Sequence, residues 1–161
     1  MSRRHAAEKR EVLPDVRYNS VLVSKFINSI MLHGKKELAE GLVYGAFDIV
    51  KNKHRMDPFE AFNGAMTNVR PHLEVVSVRV GGANYQVPSP VDERRGFTLA
   101  SRWIIEASKK RTGGMKTKLA EEIFEASNNR GSSVKKKEDS HKMAEANKAF
   151  SHFSPKKSGG R

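Results

Sequence analysis

Of the 161 residues in this chain, one stretch alone sets its apolar residues two apart. Val76, Val78 and Val80 alternate with Ser77 and Arg79, Gly81-Gly82-Ala83-Asn84 interrupts, and Tyr85-Gln86-Val87 resumes the pattern. This predicts a β-hairpin over about residues 74–91 with a glycine-bearing turn. A two-stranded ribbon is marginally stable by itself in water. The rest of the chain must therefore hold it. Its valine face can lean on a helical core, which leaves Ser77, Arg79 and Gln86 for a partner. A β-ribbon is a known device for entering a groove or lying along a strand.

Everywhere else the apolar period is helical. Leu22, Val23, Phe26, Ile27 and Ile30 mark a first helix, begun at Asn19 or Ser20 and ended by Gly34 as the residue after its C-cap. Lys35-Lys36 opens a second, with Leu38, Leu42, Ala46, Ile49 and Val50 inward and Lys51, Lys53 and Arg55 at its close. Asp57-Pro58 is a cap followed by proline at the first helical position. It starts a third helix on Phe62, Ala65, Met66 and Val69, which Pro71 stops. After the hairpin, Asp92 caps a fourth with Phe97, Ala100, Ile104 and Ala107 inward and Trp103 beside them as core. Gly113-Gly114 breaks the chain before a fifth on Leu119, Ala120, Ile123 and Phe124, ended near Gly131. Ser132 or Ser133 caps a last, mostly polar helix with Val134, Met143 and Phe150 as sparse apolar points, too polar to stand alone. The expectation is a mainly α, six-helix single domain over 18–153, with a protruding hairpin between the third and fourth helices. A basic N-terminal arm over 1–17 and a flexible basic tail over 154–161 extend it.

The formal net charge is +12, and it is clustered. Residues 1–10 carry four basic residues against Glu8, residues 92–118 eight basic against three acidic, and residues 131–161 again eight against three. Residues 57–74 and 119–130 are each net negative. Solubility alone does not require that arrangement, whereas a polyanionic partner does. Arg94 and Arg95 fall in the first turn after the hairpin, and Arg102 and Lys109 follow Arg95 at seven-residue steps along one helical face. Lys109-Lys110-Arg111 then meets Gly113-Gly114, where backbone can approach a nucleic acid. Arginine forks grip phosphates and lysines supply point charges. Lysines also open the second and last helices, where the macrodipole prefers acids.

Little else in the chain carries chemistry. The six histidines (His5, His33, His54, His72, His141 and His152) show no metal-ligand spacing and read as surface or helix-end residues. There is no cysteine, hence no disulfide and no thiolate metal site. Glu121-Glu122 reads as solvated helix charge, and no nucleophile or P-loop motif occurs. No enzyme activity, metal or cofactor is expected. MSRRHAAEKRE has no apolar leader and no run approaches a membrane span, so the expected setting is cytoplasmic.

VRVGGANYQVP, followed by SRW, together with MLHGKK and the ending MAEANKAFSHF, resembles family seven of the bacterial small-subunit ribosomal proteins over about residues 1–153. The resemblance implies a ribosome-bound structural protein. As a primary binder of the 3′ major domain of small-subunit ribosomal RNA, it would nucleate assembly of the head. Its hairpin would face the exit-site tRNA and messenger RNA, among neighbouring proteins of head and platform. Carried over, the ribosomal-RNA-facing positions are Arg3, Arg4, Arg10, Lys35, Lys36, Arg94, Arg95, Arg102, Lys109, Lys110, Arg111, Met115 and Lys116. Arg79, Gly81, Gly82, Asn84 and Tyr85 are the tRNA- and messenger-proximal set. Ser89-Pro90 and an early double arginine followed by Gly96 depart from the family pattern, and the tail after Phe153 exceeds its usual end. The competing reading is a DNA-architectural protein using the arms and the ribbon.

Overall fold

The computed structural model describes residues 10–153. In chain order these form α1 (Val21–Ile30), α2 (Lys36–His54), α3 (Pro58–Val69), β1 (Leu73–Val80), β2 (Ala83–Pro90), α4 (Glu93–Lys110), α5 (Met115–Ser127), α6 (Ser132–Ala146) and a 3-10 segment, Lys148–Phe153. The fold is mainly α, with one antiparallel two-stranded hairpin between the third and fourth helices. A seventh helical element was not expected. Asn147 closes α6 by donating its side-chain amide to the Met143 carbonyl (2.8 Å), and Phe150 then lies in a separate 3-10 turn. Most of the expected arm (residues 1–9) and all of the tail (154–161) lie outside the described residues.

Strong local start signals held. Asp57 accepts from the backbone N–H of Phe59 and Glu60, and Asp92 from that of Arg95, so α3 and α4 begin where their caps put them. Three weaker signals did not. α1 stops at Ile30, because Met31 turns extended (ψ 132°), and Gly34 (φ 73°) serves the turn before α2. In α2 the inward stripe is Ala39, Val43, Ala46, Phe47 and Val50; Leu38 is 61% exposed. Two apolar stripes lie side by side on that helix, and the one carrying Phe47 with small Ala39 meets the core. α6 begins after Gly131 (φ 96°), which places Ser132 and Ser133 inside the helix rather than at its cap.

The core gathers on α5, which packs against α2, α3, α4 and α6. Phe62 sits between Phe26 and Phe47, with ring centroids 5.1 and 5.6 Å away. Trp103, on α4, is core as expected, at 8% exposure. Glu122 overturns the expectation of solvated charge. It is fully buried and accepts from Arg111 Nε (2.8 Å), Ser133 N (2.9 Å) and Ser133 Oγ (2.6 Å).

In the hairpin, Val76 pairs with Val87 and Val78 with Tyr85 on one face, and Ser77 with Gln86 and Arg79 with Asn84 on the other. The turn is tighter than the four-residue interruption suggested. Gly81 and Gly82 alone make it, at φ 58° and 92°, the doubly left-handed geometry that suits a two-residue hairpin loop. The valine face is partly covered, by α6 and the 3-10 segment rather than by the α1–α3 core: Val87 is fully buried and Val78 and Val80 are half-buried, while Val76 stays 37% exposed. At the hairpin base the His72 N–H donates to His141 Nε2 (3.1 Å), and Arg95 forks onto Glu74 (3.1–3.3 Å).

The histidine contact makes a pH prediction. Burial, then His72 and Lys137, hold His141 below its ordinary value, and Nε2 must be unprotonated to accept. The unfolded chain therefore binds more protons below about pH 6.5, so this contribution is full above that value and is lost on acidification. The wild type should lose more urea resistance between about pH 7 and about pH 5.5 than His141→Asn does. Parallel losses in the two proteins would exclude His141 as the titrating contact.

Candidate nucleic-acid interface

Two charged surfaces emerge from this frame. The first lies where α4 ends and α5 begins. Lys110, Arg111, Thr112, Thr117, Lys118 and Glu121 line an open depression of about 400 Å³ there. α5 has no side-chain cap and no acid in its first turn, so Lys116, exposed, and Lys118, half-buried, stand beside its leading N–H groups. Such a helix start favours anions twice, through unpaired donors and through the macrodipole. Lys116 is exposed at its head, while its stem lies across Gly45 of α2; a methyl at Gly45 would sit 2.6 Å from Lys116 Cδ. The small residue thus gives the lysine a track over the helix. Met115, half-buried, opens α5 beside it.

The second surface joins the arm to the start of α2. Lys36 lines a cleft with residues 11–16 and Glu40, so the sequence-distant arm reaches the start of α2 at a cleft of mixed charge, with Glu11, Asp15 and Glu40 facing Lys36. Lys35 occupies the uncapped N-cap position. The arm is fastened at Asp15, 6% exposed, which accepts from Tyr44 Oη (2.6 Å), Arg17 N (3.1 Å) and Tyr18 N (3.0 Å). Burial, and then that bond to Asp15, push the Tyr44 hydroxyl up from its ordinary value. Arg17 pairs with Asp48 (2.6 Å) and lies over both tyrosine rings. Asp15 thus ties residues 15–18 to α2 within the expected arm's last residues. Arg10 is exposed, and Arg3 and Arg4 lie outside the described residues.

The expected cations differ in what they already hold. Arg79, Arg94, Arg102, Lys109, Lys110 and Lys116 are exposed and form no ion pair among the described residues. Arg95 is tied to Glu74, and Lys36 lies 3.5 Å from Glu40. Arg111 is bound to Glu125 and to buried Glu122; Glu125 first, then Glu122, raise its already high value further. Arg95, Arg102 and Lys109 share one face of α4, about 10 Å apart. In the hairpin set, Gly81, Gly82 and Asn84 are exposed at the tip. Arg79 and Tyr85 lie on opposite faces.

Lys118 was not singled out from sequence. Its place in the first turn of α5, two residues after Lys116, was the available signal. No group of three histidines or acids that could hold a metal occurs among the described residues, and no helix there is long and apolar enough to cross a membrane.

The ribosomal protein S7p/S5e family matches residues 2–148 of the chain. The small ribosomal subunit protein uS7 of Rickettsia felis is 72% identical over 158 residues, covering 98% of this chain and 99% of its own length. The uS7 proteins of Rickettsia rickettsii (strain Sheila Smith) and Rickettsia bellii show the same identity, over 99% and 97% of their lengths. The chain belongs to the ribosomal protein S7p/S5e family, whose members are structural proteins and not enzymes.

Proposed function

We propose that this protein is a structural constituent of the small ribosomal subunit, ribosome-bound in the cytoplasm, that grips folded ribosomal RNA mainly through phosphates and shape. Its finer role is primary binding of the 3′ major domain of that RNA and nucleation of the head. The hairpin stands beside the exit-site tRNA and messenger RNA, and other small-subunit proteins neighbour it. The observation that carries this reading is the lysine group Lys109, Lys110, Lys116 and Lys118, which forms no ion pair among the described residues, around the uncapped start of α5. It occurs in a chain 72% identical to small-subunit proteins. Binding energy of this kind comes from counterion release, and specificity from the fit of the protein's surface to a folded RNA.

Competition at one salt concentration tests it. A fragment of the 3′ major domain should displace labelled RNA at least about tenfold better than an equal mass of 5′-domain RNA or duplex DNA, a difference of about 1.4 kcal/mol. Equal competition by all three would reduce the protein to a generic polyanion binder.

A further inference from the structure

The hairpin carries an aromatic clasp that separates its two faces by role. Tyr85 is the one aromatic residue of the ribbon, and it is not free. Its ring lies 5.5 Å from Phe150 and 5.1 Å from Phe153, centroid to centroid. Both phenylalanines belong to the 3-10 segment Lys148–Phe153, which packs against β2. In a 3-10 helix, side chains three apart eclipse. Phe150 and Phe153 therefore project to one side, which an α-helical continuation of α6 would not give them as closely. Asn147 supplies the change of direction: it closes α6 on Met143, and its carbonyl accepts from Phe150 N (3.0 Å). The segment buries none of its own residues fully, so it acts as a clasp on the ribbon rather than as part of the core. Val87, on the Tyr85 face, is 0% exposed, whereas Ser77, Arg79, Asn84 and Gln86 on the other face are all exposed.

We propose that Phe150 and Phe153 are positioning residues for the hairpin: by holding Tyr85 they turn the Ser77, Arg79, Asn84 and Gln86 face outward to nucleic acid, and Tyr85 is the held part of the clasp, not a platform on which bases stack. The inference rests on the reading that the hairpin meets tRNA or messenger. The clasp itself is testable without that reading. Aromatic contacts of this geometry act beyond their buried area. Their loss should appear as local opening of the ribbon, while the helices stay intact.

The test uses full-length protein and four variants: Tyr85→Ala, Phe150→Ala/Phe153→Ala, the three changes combined, and Tyr85→Phe, with Arg79→Gln as the outward-face control. Amide exchange along β1 and β2 reads the clasp, and retention of exit-site tRNA on reconstituted small subunits reads the role. Exchange protection in the hairpin should fall about tenfold in the first two variants, no further in the combination, and not at all in Tyr85→Phe. Arg79→Gln should lower tRNA retention with exchange unchanged, and the clasp variants should lower retention along with protection. Unchanged exchange in the phenylalanine variant overturns the clasp. So does a loss of retention in Tyr85→Ala with protection intact, because Tyr85 would then meet the nucleic acid itself. Protection lost in Tyr85→Ala and in Phe150→Ala/Phe153→Ala, with full tRNA retention in all five proteins, Arg79→Gln included, upholds the clasp and overturns the hairpin's assignment to tRNA.

Discussion

Replacing Glu122 by alanine is expected to cost about 3 kcal/mol of stability, the low end for stripping one partner from a buried ion pair, because Arg111 stays partly exposed and keeps Glu125. One carboxylate joins three helices here. Oε2 accepts from Arg111 at the end of α4, while Oε1 accepts from Ser133 N and Oγ at the start of α6. α6 has no side-chain cap of its own, because Gly131 holds the cap position. Glu122 supplies that cap from a neighbouring helix and satisfies an N–H that would otherwise be orphaned. Gly131 is needed twice, for its φ of +96° and because a methyl there would stand 3.0 Å from Glu122 Oε1. Alanine at 122 would leave Arg111 with Glu125 alone and Ser133 with two unmet donors. For a chain of this size the loss corresponds to a melting temperature lower by roughly 10 °C. Glu125→Ala, whose side chain is 39% exposed, should cost only about 1 kcal/mol. Urea unfolding followed by the fluorescence of Trp103, the single tryptophan, measures both. A Glu122→Ala protein within about 1 kcal/mol of wild type would mean that the helix junction is held by packing and not by the carboxylate.

The residues that were legible in the sequence are those whose partners are near in the chain. Asp57 and Asp92 cap N–H groups two or three residues away, so their role is written locally. The ribbon was visible because a period of two has no helical alternative. Glu122 was not legible, because its partners Arg111 and Ser133 each lie eleven residues away and adjacent Glu121 looks identical. Glu121 faces Lys53 and His54, and the Lys53 contact holds its carboxyl below the usual range. One signal was present: Glu122 falls on the apolar stripe with Leu119 and Ala126, where a charge needs a partner. The face of α2 was read partly right: Ala46 and Val50 are buried as expected, but Leu38 is exposed and Ala39, Val43 and Phe47 complete the stripe. Two apolar stripes lie side by side there, and only packing decides between them. The site divided in the same way. Charge clustering located the cations, but sequence does not show which of them a carboxylate has already engaged. Arg111 and Lys110 are neighbours in the chain and have different work.

That difference is the second large effect. Lys109→Gln/Lys110→Gln/Lys116→Gln should weaken binding to small-subunit ribosomal RNA and flatten the dependence of log affinity on log salt by about two to three, since each lost phosphate contact removes about 0.7–0.9 from the slope. If the wild type neutralises roughly six to ten phosphates, its affinity should fall about three to five decades between 50 and 200 mM salt, and about 1.5 decades of that fall should disappear in the triple variant. These lysines form no ion pair among the described residues, so the unfolding midpoint should move by no more than about 0.5 kcal/mol. Arg111→Gln should do the reverse. Its guanidinium is held between Glu122 and Glu125, so removing it should destabilise the junction of α4, α5 and α6 while changing the salt slope by less than about 0.3, well under one phosphate contact. Filter binding across a salt series, with urea midpoints on the same preparations, separates the two. A flat salt response in the wild type would end the phosphate mechanism. A slope change in Arg111→Gln as large as one lysine's would show that Arg111 leaves its carboxylates to meet RNA.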